Sequence, residues 1–130
     1  MFTLQQIADA HKAVKTGADF PCYIKALKDF GVLAFHTYVS DSHTEYFGFN
    51  DFQLQSEGIY EPKSIANPCN ATVFLEQLKK HQQGETDYFQ FCEDCANNGI
   101  EKWIMDLQVM TCTYYDKTGN PILEENIPSL

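Results

Sequence analysis

Basic side chains are scarce: nine Lys and Arg stand against eighteen Asp and Glu, for a formal charge of −9 at neutral pH, and the lysines are scattered. A surface of that sign repels phosphate backbones and anionic headgroups, which excludes nucleic acid and membrane surfaces as expected partners. Long apolar runs are missing as well. No stretch approaches the roughly 20 residues of a spanning helix, and the N-terminal MFTLQQIADAHKAVK has no basic leader followed by an apolar segment. Cysteine is limited to five residues, an odd number without the dense spacing of a secreted scaffold, so the thiols read as reduced and the expected location is the cytoplasm. Absent too are a glycine-rich phosphate cradle, a nucleophile on a strained elbow, a second C-x-x-C and any H-x-x-x-H pair. No catalytic or nucleotide-binding signature is left, the catalytic residues are unknown, and neither a cofactor nor a metal is expected.

What the chain does have is core-forming material. At 130 residues, 44% of them hydrophobic and 14% aromatic, it makes one domain of ordinary size that should fold alone. Its most organised stretch runs from Thr86 to Asp116. Tyr88, Phe91, Cys92, Cys95 and Ala96 recur at helical spacing between Thr86, placed as N-cap, and Gly99, placed as a left-handed stop. The period then changes to two, through Ile100, Trp103, Met105 and Leu107 and again through Val109, Cys112, Tyr114 and Tyr115, which predicts a strand, a short turn and a second strand. Asp116 to Pro121 is turn chemistry, and Ile122-Leu123 opens a third strand.

The first half echoes this block. Shifted by 68 positions, Asp87, Tyr88, Phe91, Cys92, Cys95, Gly99, Ile100, Trp103, Leu107, Tyr114 and Tyr115 fall on Asp19, Phe20, Tyr23, Ile24, Leu27, Gly31, Val32, Phe35, Val39, Tyr46 and Phe47 without a gap. The match is one of residue class rather than identity. Internal duplication explains it, and so would chance agreement between amphipathic segments.

In chain order, Thr3 and Gln6 form a capping box for a helix with Leu4, Ile7, Ala8, His11 and Val14 on one face, ending near Thr16-Gly17. Asp19 and Pro21 begin a second helix whose stripe is Phe20, Tyr23, Ile24, Leu27 and Phe30, stopped by Gly31. Strands are expected over Val32–Val39, His43–Phe49 and Phe52–Ser56, with turns at Ser40-Asp41-Ser42 and Asn50-Asp51. A connector, 57–68, carries Gly58, Pro62 and Pro68 and a brief extended piece at Lys63-Ser64-Ile65. Asn67 or Asn70 caps the next helix, with Val73, Phe74, Leu75, Leu78 and His81 inward, up to Gly84. The tail from Glu124 to Leu130 is expected to fray. The predicted fold is α+β, a single domain over 1–130 made of duplicated α-α-β-β-β halves, about 1–58 and 67–128. Its sheet is antiparallel, with the helices on one face.

The strings KTGADFPCYIKALKDFGV, TYVSDSHTEYFG, HQQGETDYFQFCEDCANNGIEKWIMD and MTCTYYDKTGN, in that order, resemble the small bacterial and prophage family known as domain of unknown function 1398, often labelled "phage envelope protein". The resemblance covers essentially the whole chain. It implies neither an activity nor catalytic residues, and the label implies no mechanism.

Two constellations could carry chemistry. Cys92-Glu93-Asp94-Cys95 is a C-x-x-C, open to a redox pair or half a zinc site. Redox pairs sit at a helix N-terminus, whereas this one lies about two turns in, at positions matching Ile24 and Leu27, so buried apolar thiols are the favoured reading. A zinc site would need Cys69, Cys112 and a His to converge. The second constellation is the first hairpin, with His36, Tyr38, Asp41, His43 and Glu45. A His beside a carboxylate suits acid–base work near neutral pH, and solvent-facing polar positions on a half-buried sheet are the plainer reading. His11 and His81 read as ordinary partly buried histidines.

Functional residues are sought where the two halves diverge: His36 against Ile104, Tyr38 against Asp106 and His43 against Thr111. If β-strands of the two halves adjoin about a twofold axis, His36, Tyr38 and Asp106 share a sheet face with His43 at the rim. The expected function is a non-catalytic binding or interaction module for a basic or neutral small molecule or protein. An exposed aromatic sheet face also admits a homodimer. The alternative is a small enzyme using His36 or His43 with a carboxylate.

Overall fold

The computed structural model describes residues 1–14 and 19–128. Among these lie four α-helices and six strands: α1 (Leu4–Lys12), α2 (Phe20–Phe30), β1 (Val32–Tyr38), β2 (Thr44–Gly48), β3 (Gln53–Gln55), α3 (Ala71–Gln82), α4 (Tyr88–Asn97), β4 (Ile100–Asp106), β5 (Thr111–Asp116) and β6 (Pro121–Asn126). The strands form one antiparallel sheet in the order β3-β2-β1-β4-β5-β6. The fold is a single α+β domain.

Local chemistry sets the helix ends. Thr3 and Gln6 exchange side-chain and backbone bonds in a capping box. Helix α1 nonetheless stops at Lys12, with Ala13 as C-cap, short of the expected Thr16-Gly17; residues 15–18 lie outside the described ones. Asn70 caps α3, accepting from the Val73 amide at 3.2 Å. Helix α4 is capped by Asp87 rather than Thr86. The Asp87 carboxylate accepts from the Gln90 amide at 2.8 Å, where its charge also suits the helix dipole, while the Thr86 hydroxyl and carbonyl lie 3.2 and 3.1 Å from the His81 ring. Gly31 and Gly99 follow α2 and α4 at φ +100° and +83°. At Gly99 a Cβ would also come within 2.6 Å of the Cys69 Cα, so both backbone angle and space require glycine.

The helices cover the sheet face that carries Phe35, Thr37, Trp103 and Tyr114. Phe91 of α4 lies 5.5 Å from Trp103, and Phe74 of α3 lies 5.2 Å from Tyr114. On the other half, the buried Tyr23 of α2 meets the His11 ring of α1 at 5.3 Å. The buried hydroxyls of Thr37 and Thr44 satisfy each other at 3.0 Å within this layer.

Several positions depart from the periodic reading. Leu4 and Leu75 stay exposed because their helices pack through Ile7 and through Phe74 and Leu78. Val109 is not in a strand: it sits 66% exposed in the hairpin of residues 107–110, where Met110 takes φ +60°. Phe49–Asp51 is a tight turn in which Asn50 and Asp51 take left-handed φ of +56° and +62°, which shortens β2 and β3. The tail does not fray at Glu124, since β6 runs to Asn126 and the buried Ile127 donates its amide to the Met110 carbonyl at 2.8 Å.

The two halves correspond in geometry. Val32–Tyr38 and Ile100–Asp106 are offset by 68 at both ends, and the register breaks at Val32/Ala34 and Ile100/Lys102 share that offset. So do the left-handed residues Gly31 with Gly99 and Ser42 with Met110. β1 lies beside β4, with His36 directly opposite Ile104.

Candidate functional site

Directly opposed residues of an antiparallel pair point to the same face, so the register defines the face away from the helices. Along one row His36 opposes Glu45 and Ile104, and along the next Ala34 opposes Phe47 and Asp106. A third row places Tyr38 opposite Lys102, which in turn opposes Tyr115 of β5. Apart from Thr113, every residue of these strands on this face retains some solvent exposure.

The third row is continuous. His43, just ahead of β2, stacks on Tyr38 with ring centroids 4.6 Å apart and planes within 5° of parallel. On the β4 side the Lys102 ammonium lies 5.7 Å from the Tyr38 centroid and 5.6 Å from that of Tyr115. Both distances fall within cation–π range. The Tyr38 hydroxyl donates to Glu45 at 2.8 Å, and Gln53 donates to the other Glu45 oxygen at 3.4 Å. That hydrogen bond, with burial and the carboxylates of Glu45 and Glu101 adding to it, pushes the Tyr38 phenol up to about 12.

The β1–β2 turn fixes the far end of the row. The Asp41 carboxylate accepts the His43 amide at 2.9 Å and lies 2.5 Å from its Nδ1. Burial raises the Asp41 carboxyl, but the amide and ring of His43 outweigh that and hold it below its ordinary value. Gly58 of the connector packs against this carboxylate so closely that a Cβ would lie 2.8 Å from the Asp41 Oδ2. The Ile59 amide meets the Asp41 carbonyl and the Lys63 amide meets that of Ser40, tying the connector to the turn.

His36, Tyr38 and Asp106 thus share a face, with His43 at its edge, but their partners differ from those of a single polar cluster. The Asp106 carboxylate accepts the Gln108 and Val109 amides at 3.0 and 3.3 Å, serving its own hairpin. His36 packs on Phe47 at 4.7 Å, and burial, with help from Lys102, lowers its pKa while Glu45 acts in the opposite sense. The centre of the row is Tyr38, Lys102 and Tyr115. Lys102 was not singled out by sequence reasoning, although its alignment with Ala34 is a divergence of the same kind as His36 against Ile104. Gly58 carried no signal, because its partner Asp41 is distant in sequence.

Chemically, the Asp41–His43 pair presents an oriented imidazole. Among the described residues no hydrogen bond joins its Nε2 to a hydroxyl or thiol that could act as a nucleophile. The groove between Met1, Phe2, Phe30, Gly31, Phe49, Asn50 and Phe52 is predominantly apolar and lies outside this face. Cys92 and Cys95 are fully buried, and desolvation raises both thiols. Among the described residues no group of three or more His, Cys, Asp or Glu is placed to hold a metal ion.

A family model described as "Protein of unknown function (DUF1398)" matches residues 8–126, from within α1 to the end of β6. The chain belongs to the DUF1398 family. That match takes in all of the DUF1398 sheet and the connector, and so every residue of the face just described. No curated protein matches the chain. No helix among the described residues is long and apolar enough to cross a membrane.

Proposed function

We propose that this chain is a non-catalytic binding module whose open sheet face receives a positively charged partner. The observation that carries the reading is the placement of Lys102 between Tyr38 and Tyr115: the face already holds a cation over two aromatic rings. Charge complementarity supports it. The face and its rim carry Asp41, Glu45, Asp106 and Glu124, and the whole protein has a formal charge of −9. An enzyme reading has less support, since among the described residues no hydrogen bond joins the oriented His43 ring to a hydroxyl or thiol, and the apolar groove beside Phe2 and Phe52 is lined by other residues. The unpaired thiols favour action in a reducing compartment such as the cytoplasm.

The test is a thermal-shift comparison of matched cationic, neutral and anionic small molecules and of short basic and acidic peptides. Cationic members should raise Tm. The gain should vanish in the Tyr38→Leu/Tyr115→Leu double variant and persist in Leu75→Ala, which alters an exposed helix position. Stabilisation by the anionic set alone, or a gain indifferent to both tyrosines, would overturn the proposal.

A further inference from the structure

We propose that the space between the Tyr38 and Tyr115 rings is a seat for a methylated or quaternary ammonium group, held shut in the free protein by Lys102. This deepens the reading of the open face as a cation-binding surface and rests on it. Tyr38 stands on β1 and Tyr115 on β5, with only β4 between them. Two interstrand spacings put their backbones about 9.6 Å apart, so a cation midway lies inside the roughly 6 Å over which a ring face attracts it. The Lys102 ammonium is nearly equidistant from both rings, 5.7 and 5.6 Å from their centroids.

The surroundings favour a cation without hydrogen-bond donors. The Glu45 carboxylate on β2 already accepts from the Tyr38 hydroxyl and from Gln53. Its negative charge remains, and by accepting from the phenol it makes the Tyr38 ring face more electron-rich. A primary ammonium is strongly hydrated and loses solvation on entering such a seat. A tetraalkylammonium carries the same charge with methyl groups that pack on the rings, which is the chemistry of aromatic cages. His43, stacked on the far side of Tyr38 and fixed by Asp41, keeps the Tyr38 ring upright. Lys102 is therefore a resident competitor. Its removal should be tolerated, since the position offset by 68 in the adjoining strand is Ala34.

The experiment is calorimetric titration of tetramethylammonium chloride, with sodium chloride at equal ionic strength as control. The proteins are the wild type, Lys102→Ala, Lys102→Ser, and Lys102→Ala combined with Tyr38→Leu, Tyr38→Phe or Tyr115→Leu, each checked for native circular dichroism. Lys102→Ala and Lys102→Ser should bind tetramethylammonium at least about fivefold more tightly than the wild type. Each Tyr→Leu change should take back a factor of about two to five, while Tyr38→Phe should keep most of the gain. No gain on removing Lys102, or a gain untouched by Tyr→Leu in folded protein, would overturn the seat. If basic peptides still bind through Tyr38 and Tyr115 while tetramethylammonium does not, the seat falls and the broader cation-binding reading stands. Loss of both removes both.

Discussion

The Tyr38 phenol donates a 2.8 Å hydrogen bond to Glu45 on the neighbouring strand, and this bond holds its pKa at about 12 against an ordinary value of 10.0. Folding therefore favours the protonated phenol. The stability this contributes is complete below pH 10 and is lost as pH rises from 10 toward 12. In a tyrosine-ring NMR titration, Glu45→Gln should move the Tyr38 midpoint down toward 10. An unchanged midpoint would show that Glu45 is not the cause.

The five cysteines divide by burial into Cys22 exposed, Cys69 partly buried, and Cys92, Cys95 and Cys112 in the core. A bulky thiol reagent should label native protein at Cys22 first and at Cys69 more slowly. The other three should react only on unfolding. Cys92→Ala should cost about 1–2 kcal/mol by denaturant unfolding, less than truncating a buried Leu. Rapid native labelling of Cys92 or Cys95 would contradict the packing described.

Gly31 and Gly99 end corresponding helices, yet their surroundings differ. Alanine at Gly31 meets only the Phe49 ring, at 3.7 Å, whereas at Gly99 it meets the Cys69 backbone at 2.6 Å. Gly31→Ala should cost about 1–2 kcal/mol for the left-handed conformation alone, and Gly99→Ala about 2–4 kcal/mol because overpacking is added. Equal costs in urea unfolding would show that the connector yields freely at Cys69.

Most of the architecture was legible because it is local. Helix stripes, left-handed glycines and period-two strands each leave a mark within a few residues; that β1 lies beside β4 depends on how the halves pack, which the 68-residue offset alone does not specify. The errors have equally local causes: Val109 continues the strand period but forms a turn, and Thr86 looks like a cap but engages His81. The site was harder to read. His36, Tyr38, His43 and Asp106 stand out in the sequence by divergence between the halves, but the partners of each depend on cross-strand register. Register pairs Tyr38 with Lys102 and leaves Asp106 to its hairpin amides. Side-chain competition of that kind is not written in spacing.

His36 reports on Lys102. Its pKa is lowered by burial first and by the Lys102 charge second, so folding favours the neutral ring and the associated stability is present above pH 6.5 and lost as pH falls below it. Lys102→Ala should raise the His36 midpoint toward 6.5 in a histidine-ring NMR titration. A midpoint that does not move would place the ammonium away from this face.

The most direct measurement follows tyrosine-ring and backbone amide resonances of the wild-type protein during titration with a lysine-rich peptide and with its fully acetylated counterpart. The charged peptide should shift the rings of Tyr38 and Tyr115 and the amides of β1, β4 and β5, leave Tyr23 of α2 and Tyr114 beneath the helices in place, and lose its effect on acetylation. Shifts confined to the helical side, or an equal response to the acetylated peptide, would contradict a cation-binding sheet face.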